Sequence, residues 1–324
     1  MSQDNKVKVG VIGVGHLGEY HVRKYLAMPA VEVVGVVDTN PDRAGEISER
    51  YDVTAYGGHR EILDMVDAVS LAVPTEVHFD VARDILSKGI HMLIEKPITY
   101  KIEDADCLLE LAQKNNVVLQ VGLVERFNPA IVKMESMLTR PVFLESHRMN
   151  VFTTRGIDVD VVLDLMIHDL DIFLHVVPSE VKEIHAVGMS VITGKTDIAN
   201  VRMIFENGMV ANLTASRVAD KALRKIRVFQ PDAYLSVNCS KRELSVIRLD
   251  GKASDPDVFP RIKSDKMEFS GKDPLADEIS SFINAVINGS EPIVSGQDGR
   301  NALKTALDII DRIEKGYKNF QPIS

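Results

Sequence analysis

Short apolar segments rich in valine and isoleucine alternate with amphipathic segments over the first 123 residues of the chain. Continuous apolar runs of this kind are typical of strands that are buried on both faces of a parallel sheet. The predicted strands are residues 6–14, 31–38, 67–74, 91–97 and 117–123. The predicted helices are residues 16–28, 41–51, 78–89 and 103–115. This alternation predicts an α/β domain with a doubly wound parallel sheet and helices on both of its faces.

The pattern changes after residue 124, where longer predicted strands follow one another with little helix between them. These strands are residues 141–152, 181–192, 198–206, 209–218, 223–230, 233–239 and 243–249. An Asn-Gly pair at 207–208 predicts a tight hairpin turn. Further helices are predicted at residues 159–177, 274–288 and 297–316. We therefore predict two domains, 1–123 and 124–324, the second an α+β domain with an open-faced, mainly antiparallel sheet and helices on one face.

The helix predicted for residues 159–177 is apolar nearly all round, yet it carries four aspartates and two histidines. At about 100° per residue most of them fall within a wedge of about 80°. The members of this polar stripe are Asp160, Asp164, His168, Asp171 and His175. Asp169 lies in the apolar arc, so it is expected to pair with a buried donor. The stripe either finds partners among neighbouring side chains or faces a functional cleft.

Composition limits the classes of partner. The 324 residues carry a formal net charge of −9, which disfavours nucleic acid or an anionic membrane as the main partner. Cys107 and Cys239 match no metal-ligand spacing and suit reduced thiols. The N-terminal residues lack the apolar segment of a signal peptide, and no apolar run has membrane-spanning length. We expect a cytoplasmic protein without membrane insertion.

A glycine-rich turn, Gly13-Val-Gly15-His-Leu-Gly18, joins the first predicted strand to the first helix. The first glycine of such a turn permits the bend, the second lets a pyrophosphate approach, and the third lets the helix pack closely. The helix N-terminus, at His16 and Leu17, supplies amide donors for phosphate oxygens. This context predicts a dinucleotide site, with a glycine turn that binds nothing as the alternative.

An acidic residue bears on the choice of cofactor. Asp38 ends the second predicted strand, twenty residues after Gly18, where a carboxylate can accept hydrogen bonds from the adenosine ribose. A carboxylate there repels a 2′-phosphate, so NAD is predicted over NADP. Arg43 follows a few residues later and could host such a phosphate, which keeps the question open.

Glu95-Lys96-Pro97 closes the predicted strand at residues 91–97. Ligands of open α/β sheets bind at the carboxyl ends of the strands, so Lys96 is predicted to project toward the cofactor. A lysine at that place can donate a hydrogen bond to a substrate oxygen. The alternative is a surface lysine at the end of a strand.

The glycine turn, the EKP segment and the pattern D-x-x-x-H-x-x-D at Asp164, His168 and Asp171 form a specific combination. It resembles the glucose–fructose oxidoreductase / inositol dehydrogenase / MocA family. The resemblance covers nearly the whole chain, including residues 73–78 and 121–129 and the paired C-terminal helices. It implies an N-terminal Rossmann domain and a C-terminal sheet that commonly assembles homodimers or homotetramers.

The resemblance also implies roles for individual residues. Lys96, Asp164 and His168 match the lysine, aspartate and histidine that surround the nicotinamide ring in the family. Further cofactor-binding residues that follow from it are Pro74, Thr75, His78, Glu95 and Lys96.

The implied chemistry is oxidation of a secondary alcohol, which loses a hydride from carbon and a proton from oxygen. His168 is the predicted general base, because histidine exchanges protons near neutral pH. Asp164, one helical turn earlier, can orient the imidazole or bind a neighbouring hydroxyl. Lys96 would stabilise the developing alkoxide and could share the proton relay. An exchange of roles between Lys96 and His168 stays open, and no metal is expected because no third strong ligand suggests itself.

Residues 143–173 are similar to family members that act on UDP-N-acetylglucosamine and oxidise its 3-hydroxyl to a ketone. A partner aminotransferase then installs an amine for a lipid A variant. Arginines suit a diphosphate, so Arg126, Arg148 and Arg155 are predicted substrate ligands, although each equally suits a surface or an interface.

Other functions stay open. Within the family they are a UDP-N-acetylglucosaminuronate 3-dehydrogenase and a polyol or inositol dehydrogenase. A different class is a sensor or co-regulator that binds a dinucleotide without turnover. The presence of both Lys96 and His168 favours an enzyme.

Overall fold

The computed structural model describes residues 6–154, 156–157, 159–250 and 261–318. Its strands are β1 (Val7–Ile12), β2 (Val31–Val37), β3 (Ala55–Tyr56), β4 (Ala68–Leu71), β5 (His91–Glu95), β6 (Leu119–Gly122), β7 (Phe143–Met149), β8 (Val181–Met189), β9 (Ile198–Phe205), β10 (Val210–Ser216), β11 (Leu223–Gln230), β12 (Ala233–Asn238), β13 (Glu243–Asp250) and β14 (Arg261–Glu268). Its α-helices are α1 (His16–Leu26), α2 (Pro41–Tyr51), α3 (His78–Ser87), α4 (Ile102–Asn115), α5 (Pro129–Glu135), α6 (Ile167–Val176), α7 (Pro274–Asn288) and α8 (Gly296–Lys318).

The chain divides into two compact units. The first consists of Met1–Val124 and Leu275–Leu303, and the second of Glu125–Pro274 and Lys304–Ser324. Leu275–Leu303 belong to the first unit, whereas we predicted them in the second domain, 124–324. The physical reason is burial, because apolar side chains of α7 belong to the same core cluster as those of β1 and β2.

The first unit contains a six-stranded sheet in the order β3-β2-β1-β4-β5-β6. All neighbouring strands in it run parallel. The predicted doubly wound parallel sheet is therefore confirmed. The order reverses direction between β1 and β4, and the carboxyl ends of strands at such a point are where open α/β sheets bind ligands.

The second unit contains an eight-stranded sheet in the order β14-β13-β12-β11-β7-β10-β9-β8. β7 runs parallel to β10, and the other pairs are antiparallel. Buried and partly exposed side chains alternate along β7, so that Leu144, Ser146 and Arg148 lie on the covered face. α5 and α6 pack against the sheet. The predicted open-faced, mainly antiparallel sheet is confirmed.

The helix predicted for residues 159–177 has an irregular first part. Val162–Met166 form a π-helical turn, and α6 continues from Ile167. A π turn holds more residues per turn than an α-helix, so the spacing of 100° per residue does not apply across it. The angles expected around the helix for side chains before and after this turn therefore do not hold.

Candidate functional site

The parallel sheet of the first unit borders a cavity of about 660 Å³ at the carboxyl ends of its strands. Residues that follow β1, β2, β3 and β4 line it. Ligand pockets usually have volumes of about 300–1,000 Å³, so a cofactor-sized molecule fits this cavity. The predicted cofactor residues that line it are Gly13, Gly15, Asp38 and Pro74.

The three glycines of the turn differ in what surrounds them. Gly13 has a φ of 83°, and a Cβ there would lie 2.7 Å from the carbonyl oxygen of Ala72. A Cβ on Gly18 would lie 1.8 Å from the carbonyl oxygen of Gly13, so α1 packs directly on the turn. A Cβ on Gly15 would meet no described atom within 4 Å. Gly15 is also the N-cap of α1. The open space beside it, next to the helix amides, fits a pyrophosphate.

Asp38 is held in place by main-chain amides. Its Oδ2 accepts a hydrogen bond from the Val14 amide at 3.0 Å, and its Oδ1 accepts one from the Asn40 amide at 2.9 Å. A carboxylate oxygen can accept more than one hydrogen bond, so both oxygens retain acceptor capacity. The half-buried Asp38 at the cavity can therefore receive ribose hydroxyls.

Arg43 is engaged by carboxylates beside this cavity. Its guanidinium donates to Glu19 at 2.6 Å and to Glu46 at 2.6 Å. The pKa of Glu19 is lowered to about 2, chiefly by Arg43, with Tyr51 and Arg50 adding to the effect. Arg43, which could have hosted a 2′-phosphate, thus already binds two carboxylates of the protein. The arrangement agrees with NAD as the cofactor.

The EKP segment begins with a buried carboxylate. Glu95 lies 3.2 Å from Nε2 of the buried His21. A Cβ on Gly122 would lie 2.8 Å from Oε2 of Glu95, so Gly122 also borders this carboxylate. Lys96 follows and is half-buried, and its peptide bond to Pro97 is cis. The carboxylate is thus fixed by its neighbours, directly before the predicted catalytic lysine.

His78 is buried and faces backbone carbonyls. Its Nε2 lies 2.9 Å from the carbonyl oxygen of Val73, and its Nδ1 lies 3.0 Å from that of Pro97. Burial lowers the pKa of His78, which favours the neutral ring. The ring joins the segment after β4 to the segment after β5. Contact of His78, Thr75 or Glu95 with a cofactor stays a prediction.

The sequence interpretation missed part of the cavity lining, namely Thr39, Gly57, Gly58 and His59. His59 Nε2 lies 3.0 Å from the carboxylate of Asp84, and this histidine is the main reason that the pKa of Asp84 is lowered. Three of these residues follow β3, which is too short to show a hydrophobic pattern. The pair Gly57-Gly58, directly after Tyr56, was the sequence feature that could have indicated a loop at the cavity.

In the second unit, two ionisable side chains are accessible on an otherwise buried helix. Between Val161 and Phe173 every side chain is buried except those of Asp164 and His168, which are half-buried. Asp164 lies in the π-helical turn and His168 in the first turn of α6. π-helical turns are frequent at functional sites. A carboxylate and an imidazole placed in this way can exchange a proton with a bound hydroxyl.

Two further aspartates of this helix are buried in ion pairs. Asp169 accepts from Nε and Nη2 of Arg148 at 3.1 and 2.7 Å, which confirms the expectation of a buried donor. The predicted polar stripe is wrong for Asp171, which is buried and accepts from Nη1 of Arg126 at 3.2 Å. Sequence spacing alone could not show that a distant arginine neutralises this carboxylate.

The predicted substrate arginines therefore have unexpected surroundings. Arg126 and Arg148 are only 4% and 2% exposed. Besides Asp169, Arg148 donates to Glu125 at 2.9 Å. This placement does not favour contact with a diphosphate, which stays a prediction for both residues. Arg155 lies outside the described residues.

The segment before the helix lies against Asp164. Gly156 has a φ of 66°, and a Cβ there would lie 3.3 Å from Oδ2 of Asp164. The buried Arg217 donates to the carbonyl oxygens of Gly156 and Val159. This arginine thereby fixes the backbone that borders the accessible carboxylate.

Cys107 and Cys239 are free thiols, and burial raises the pKa of Cys239. The described residues contain no group of three or more His, Cys, Asp or Glu side chains placed to hold a metal ion. None of the helices in the described ranges combines the length and apolar character needed to cross a membrane.

Two family models match the chain. A model described as an oxidoreductase family with an NAD-binding Rossmann fold matches residues 7–123. A model of the GFO/IDH/MocA C-terminal domain matches residues 130–241. The first range contains the glycine turn and Lys96, and the second contains Asp164 and His168. Both sets of predicted functional residues thus lie within the matched ranges.

Several relatives of the chain bear the names of dehydrogenases. A UDP-N-acetylglucosamine 3-dehydrogenase from Acidithiobacillus ferrooxidans is 38% identical over 309 residues, which cover 95% of this chain and 97% of that protein. A solved structure of UDP-N-acetylglucosamine 3-dehydrogenase from the same organism has a TM-score of 0.90, covering 96% of this chain and 98% of that one. A myo-inositol 2-dehydrogenase from Thermotoga maritima is 25% identical over 317 residues, or 92% of this chain and 93% of that protein.

Proposed function

Because this chain belongs to the GFO/IDH/MocA oxidoreductase family, we propose that it oxidises the 3-hydroxyl of UDP-N-acetylglucosamine to a ketone. Its coarser activity follows from the family: it is an NAD-dependent oxidoreductase that acts on a CH–OH group. The relative from Acidithiobacillus ferrooxidans, which bears the name of the proposed activity, supports the choice of substrate.

The accessible pair of Asp164 and His168 is the structural observation that carries the proposal. All other side chains between Val161 and Phe173 are buried. Loss of the hydroxyl proton needs an acceptor that works near neutral pH, and an imidazole is suited to this. A carboxylate four residues earlier can orient the ring or bind a second hydroxyl of the sugar. The helix thus offers the two groups that oxidation of a sugar alcohol requires from the protein.

We assign the roles as follows. His168 accepts the proton from the sugar hydroxyl, and Asp164 orients its imidazole. Lys96 donates a hydrogen bond to the oxygen that gains negative charge, which stabilises the transition state. The reverse assignment, with Lys96 as the base and His168 as the donor, leads to the same products.

The turn of the first unit fits a dinucleotide, because the space beside Gly15 is open and Asp38 has acceptor capacity for ribose. NAD bound there by Gly13, Gly15, Gly18 and Asp38 would supply the hydride acceptor. The residues of the chain then hold the sugar and move its proton.

The direct test is NADH formation, followed by absorbance, with UDP-N-acetylglucosamine as the substrate. Hydroxylamine is present to trap the ketone, because oxidation of an alcohol by NAD is usually uphill near neutral pH. The expected result is a substrate-dependent rise that the variant Lys96→Ala abolishes. Parallel assays with UDP-N-acetylglucosaminuronate and with myo-inositol test the two other substrate classes.

The outcomes separate the alternatives. A rise with only the uronate or only the polyol would refute the proposed substrate and identify another one. No rise with any of the three, while NAD binding stays measurable by calorimetry, would contradict the proposal and support a dinucleotide-binding sensor.

We also propose that the chain forms a homodimer or homotetramer through the open face of the eight-stranded sheet. A row of apolar cross-strand partners runs over this face through β9, β10, β7, β11, β12 and β13. Its members are Ile204, Val210, Phe143, Phe229, Tyr234 and Ile247. A contiguous apolar patch of this kind is typical of an interaction surface, and a second copy would cover it.

The assembly proposal is tested by light scattering after size exclusion. Phe229 lies in the middle of the row, with ring centroids 5.2 Å from Phe143 and 5.1 Å from Tyr234. Phe229→Lys is expected to lower the mass in solution to that of a single chain. A wild-type protein that already has the mass of one chain would contradict the proposal.

Two broader expectations follow from the same activity. The 3-keto sugar is a substrate for the class of aminotransferases, so we propose that such an enzyme consumes the product for a lipid A variant. We also propose a cytoplasmic location, with which the free thiols of Cys107 and Cys239 agree. A coupled assay without hydroxylamine, in which an aminotransferase converts the 3-keto sugar to an amine, would support the first of these proposals.

A further inference from the structure

Two buried arginine–aspartate pairs hold the helix that carries His168. Arg148 binds Asp169 with two hydrogen bonds of 3.1 and 2.7 Å. Arg126 binds Asp171 at 3.2 Å. We propose that Arg126 and Arg148 are positioning residues, which fix the rotation of this helix about its axis and thereby the direction in which His168 points.

The two aspartates lie on either side of His168 around the helix. In the regular α6, successive residues are about 100° apart, so Asp169 lies about 100° from His168 and Asp171 about 60° from it in the opposite sense. The accessible sector is therefore bounded on both sides by a carboxylate that an arginine holds. One pair alone would leave the helix free to turn about that contact, whereas two pairs restrain it in both senses.

A small rotation would break both pairs. A helix with its side chains is about 10–12 Å across, so a rotation of about 30° moves the end of a side chain by about 3 Å. Donor–acceptor distances in hydrogen bonds vary by only about 0.5 Å, so a displacement of this size would break both pairs. The same rotation would turn His168 toward the buried side chains beside it. Rotation of the helix about its axis thus determines both the direction of His168 and the geometry of the two ion pairs.

The arginines are themselves anchored. Arg148 lies on β7, an inner strand of the sheet, which is hydrogen-bonded to β10 on one side and β11 on the other. Arg126 lies in the 3-10 turn Val124–Phe127. Asn128 fixes this turn, because its Nδ2 lies within 3.0 Å of Glu125 Oε2 and of the carbonyl oxygen of Cys239. The helix is therefore tied to a strand and to a fixed turn.

The charges around Glu125 and Arg148 favour the ionised forms of these two side chains. Burial acts to raise the pKa of Glu125, but Arg148 and Asn128 hold it below its ordinary value. The pKa of Arg148 is raised, because Asp169 and Glu125 outweigh its burial. Three N–H groups of Arg148, one on each nitrogen, already donate to these two carboxylates inside the protein. This arrangement suits a fixed support better than a ligand for an incoming diphosphate.

The experiment compares Arg148→Lys and Arg126→Lys with the wild-type holoenzyme. Lysine keeps the charge but lacks the planar fork, so at position 148 it cannot make both hydrogen bonds to Asp169. At position 126 its ammonium does not reproduce the placement of Nη1 that binds Asp171. We expect kcat to fall about a hundredfold, as for a misplacement of about 1 Å in a catalytic group. The affinity for NAD is expected to stay at the wild-type value, because the glycine turn belongs to the first unit.

A second readout does not depend on turnover. Diethyl pyrocarbonate modifies accessible histidines, and mass spectrometry gives the rate at His168 relative to that at His185, which is exposed on β8 and does not move with the helix. We expect this ratio to fall in both lysine variants. The kinetic arm rests on the proposed function, whereas the modification ratio tests the helix even if no sugar nucleotide is turned over.

Arg300→Lys is the matched control. Arg300 also makes a bidentate pair, with hydrogen bonds of 2.7 and 3.1 Å to Asp106, and both residues belong to the first unit. Its side chain is 24% exposed, and the loss of such a pair usually has a small effect. We expect kcat and the modification ratio of this variant to equal those of the wild type.

Two outcomes would overturn the proposal. One is a wild-type kcat and modification ratio in both lysine variants. The other is a fall in kcat that follows a loss of melting temperature while the ratio is unchanged, which would assign the pairs a purely structural role.

A double variant covers the case that the lysine variants fail to fold. Arg126→Met with Asp171→Leu replaces a buried pair by apolar side chains, a change that often preserves stability. Retained melting temperature with a reduced modification ratio and kcat would support the proposal. Retained melting temperature with wild-type values of both would show that the Arg126–Asp171 pair is not needed to set the helix, and would overturn the proposal.

Discussion

The cavity of the first unit and the accessible helix of the second unit are built from different kinds of interaction. Around the cavity, the left-handed Gly13 and the close contact of Gly18 fix the turn, and main-chain amides hold Asp38. In the second unit the corresponding support comes from side chains. Arg126 and Arg148 bind carboxylates of the helix in surroundings that are almost fully buried.

This difference determines how each region responds to substitution. A turn fixed by backbone contacts fails when an added atom has no room, whereas a change that points into open space leaves it intact. A helix held by buried charges fails when one partner is removed, because an unpaired buried charge costs about 3–5 kcal/mol. Steric substitutions therefore probe the first unit, and charge substitutions probe the second.

The largest expected effect concerns the two groups that we propose to contact the substrate. His168→Ala and Lys96→Ala should each lower kcat by about 10²–10⁴-fold, the usual contribution of acid–base catalysis, while the affinity for NAD stays unchanged. Steady-state kinetics and calorimetric titration with NAD measure the two quantities. His175→Ala, on an exposed part of the same helix, serves as the control. Near-normal turnover of either variant would remove that residue from the chemistry.

Two glycine substitutions separate binding from stability in the first unit. Gly18→Ala places a Cβ 1.8 Å from the carbonyl oxygen of Gly13, and overpacking of this kind costs about 1–3 kcal/mol. Gly15→Ala meets no described atom within 4 Å, so the melting temperature should not change. It should still weaken NAD binding about tenfold, because its Cβ would occupy the space that we propose for the pyrophosphate. Wild-type NAD affinity in Gly15→Ala would mean that the cofactor does not approach there.

The same contrast explains how much of the molecule could be predicted from the sequence. The glycine turn and Asp38 directly follow regular strands, so a local pattern along the chain marks them. The partner of Asp171 is 45 residues away, so local patterns could not identify it. Burial alone did predict a donor for Asp169, but not which arginine provides it.

Irregular elements were missed for related reasons. β3 has two residues, which is too short for a hydrophobic period to appear. The edge strand β14 is exposed along most of its length, so no buried face marks it in the sequence. The π-helical turn Val162–Met166 has the composition of an ordinary helix. Tertiary packing, which the sequence does not display, decides all three.

A smaller effect is expected at Asp38, the carboxylate that we propose to bind the ribose. Asp38→Asn removes the charge that repels a 2′-phosphate and keeps an oxygen that can accept from the Val14 amide. One unit charge at about 4 Å in water is worth about 1 kcal/mol, so NADP affinity should rise about fivefold. The preference should not reverse, because Arg43 stays bound to Glu19 and Glu46. Titration of both cofactors measures the ratio, and an unchanged ratio would place the 2′ position elsewhere.

The smallest expected effect concerns a charge that supports the turn from outside. The pKa of Glu19 is lowered to about 2 from a usual value of 4.5, chiefly by Arg43. A carboxylate with a lowered pKa in the folded state adds stability above its unfolded pKa, and this contribution is lost as the pH falls toward the folded one. Glu19→Gln should therefore melt slightly below the wild type at neutral pH, and the two curves should converge between about pH 4.5 and 2. Because backbone contacts set the turn, the affinity for NAD should stay the same at neutral pH.

Glu46→Gln, which alters a more exposed partner of Arg43, is the control and should change the melting temperature less. A melting difference for Glu19→Gln that stays constant down to pH 2 would assign the effect to packing, and a loss of NAD affinity would show that charge also shapes the turn.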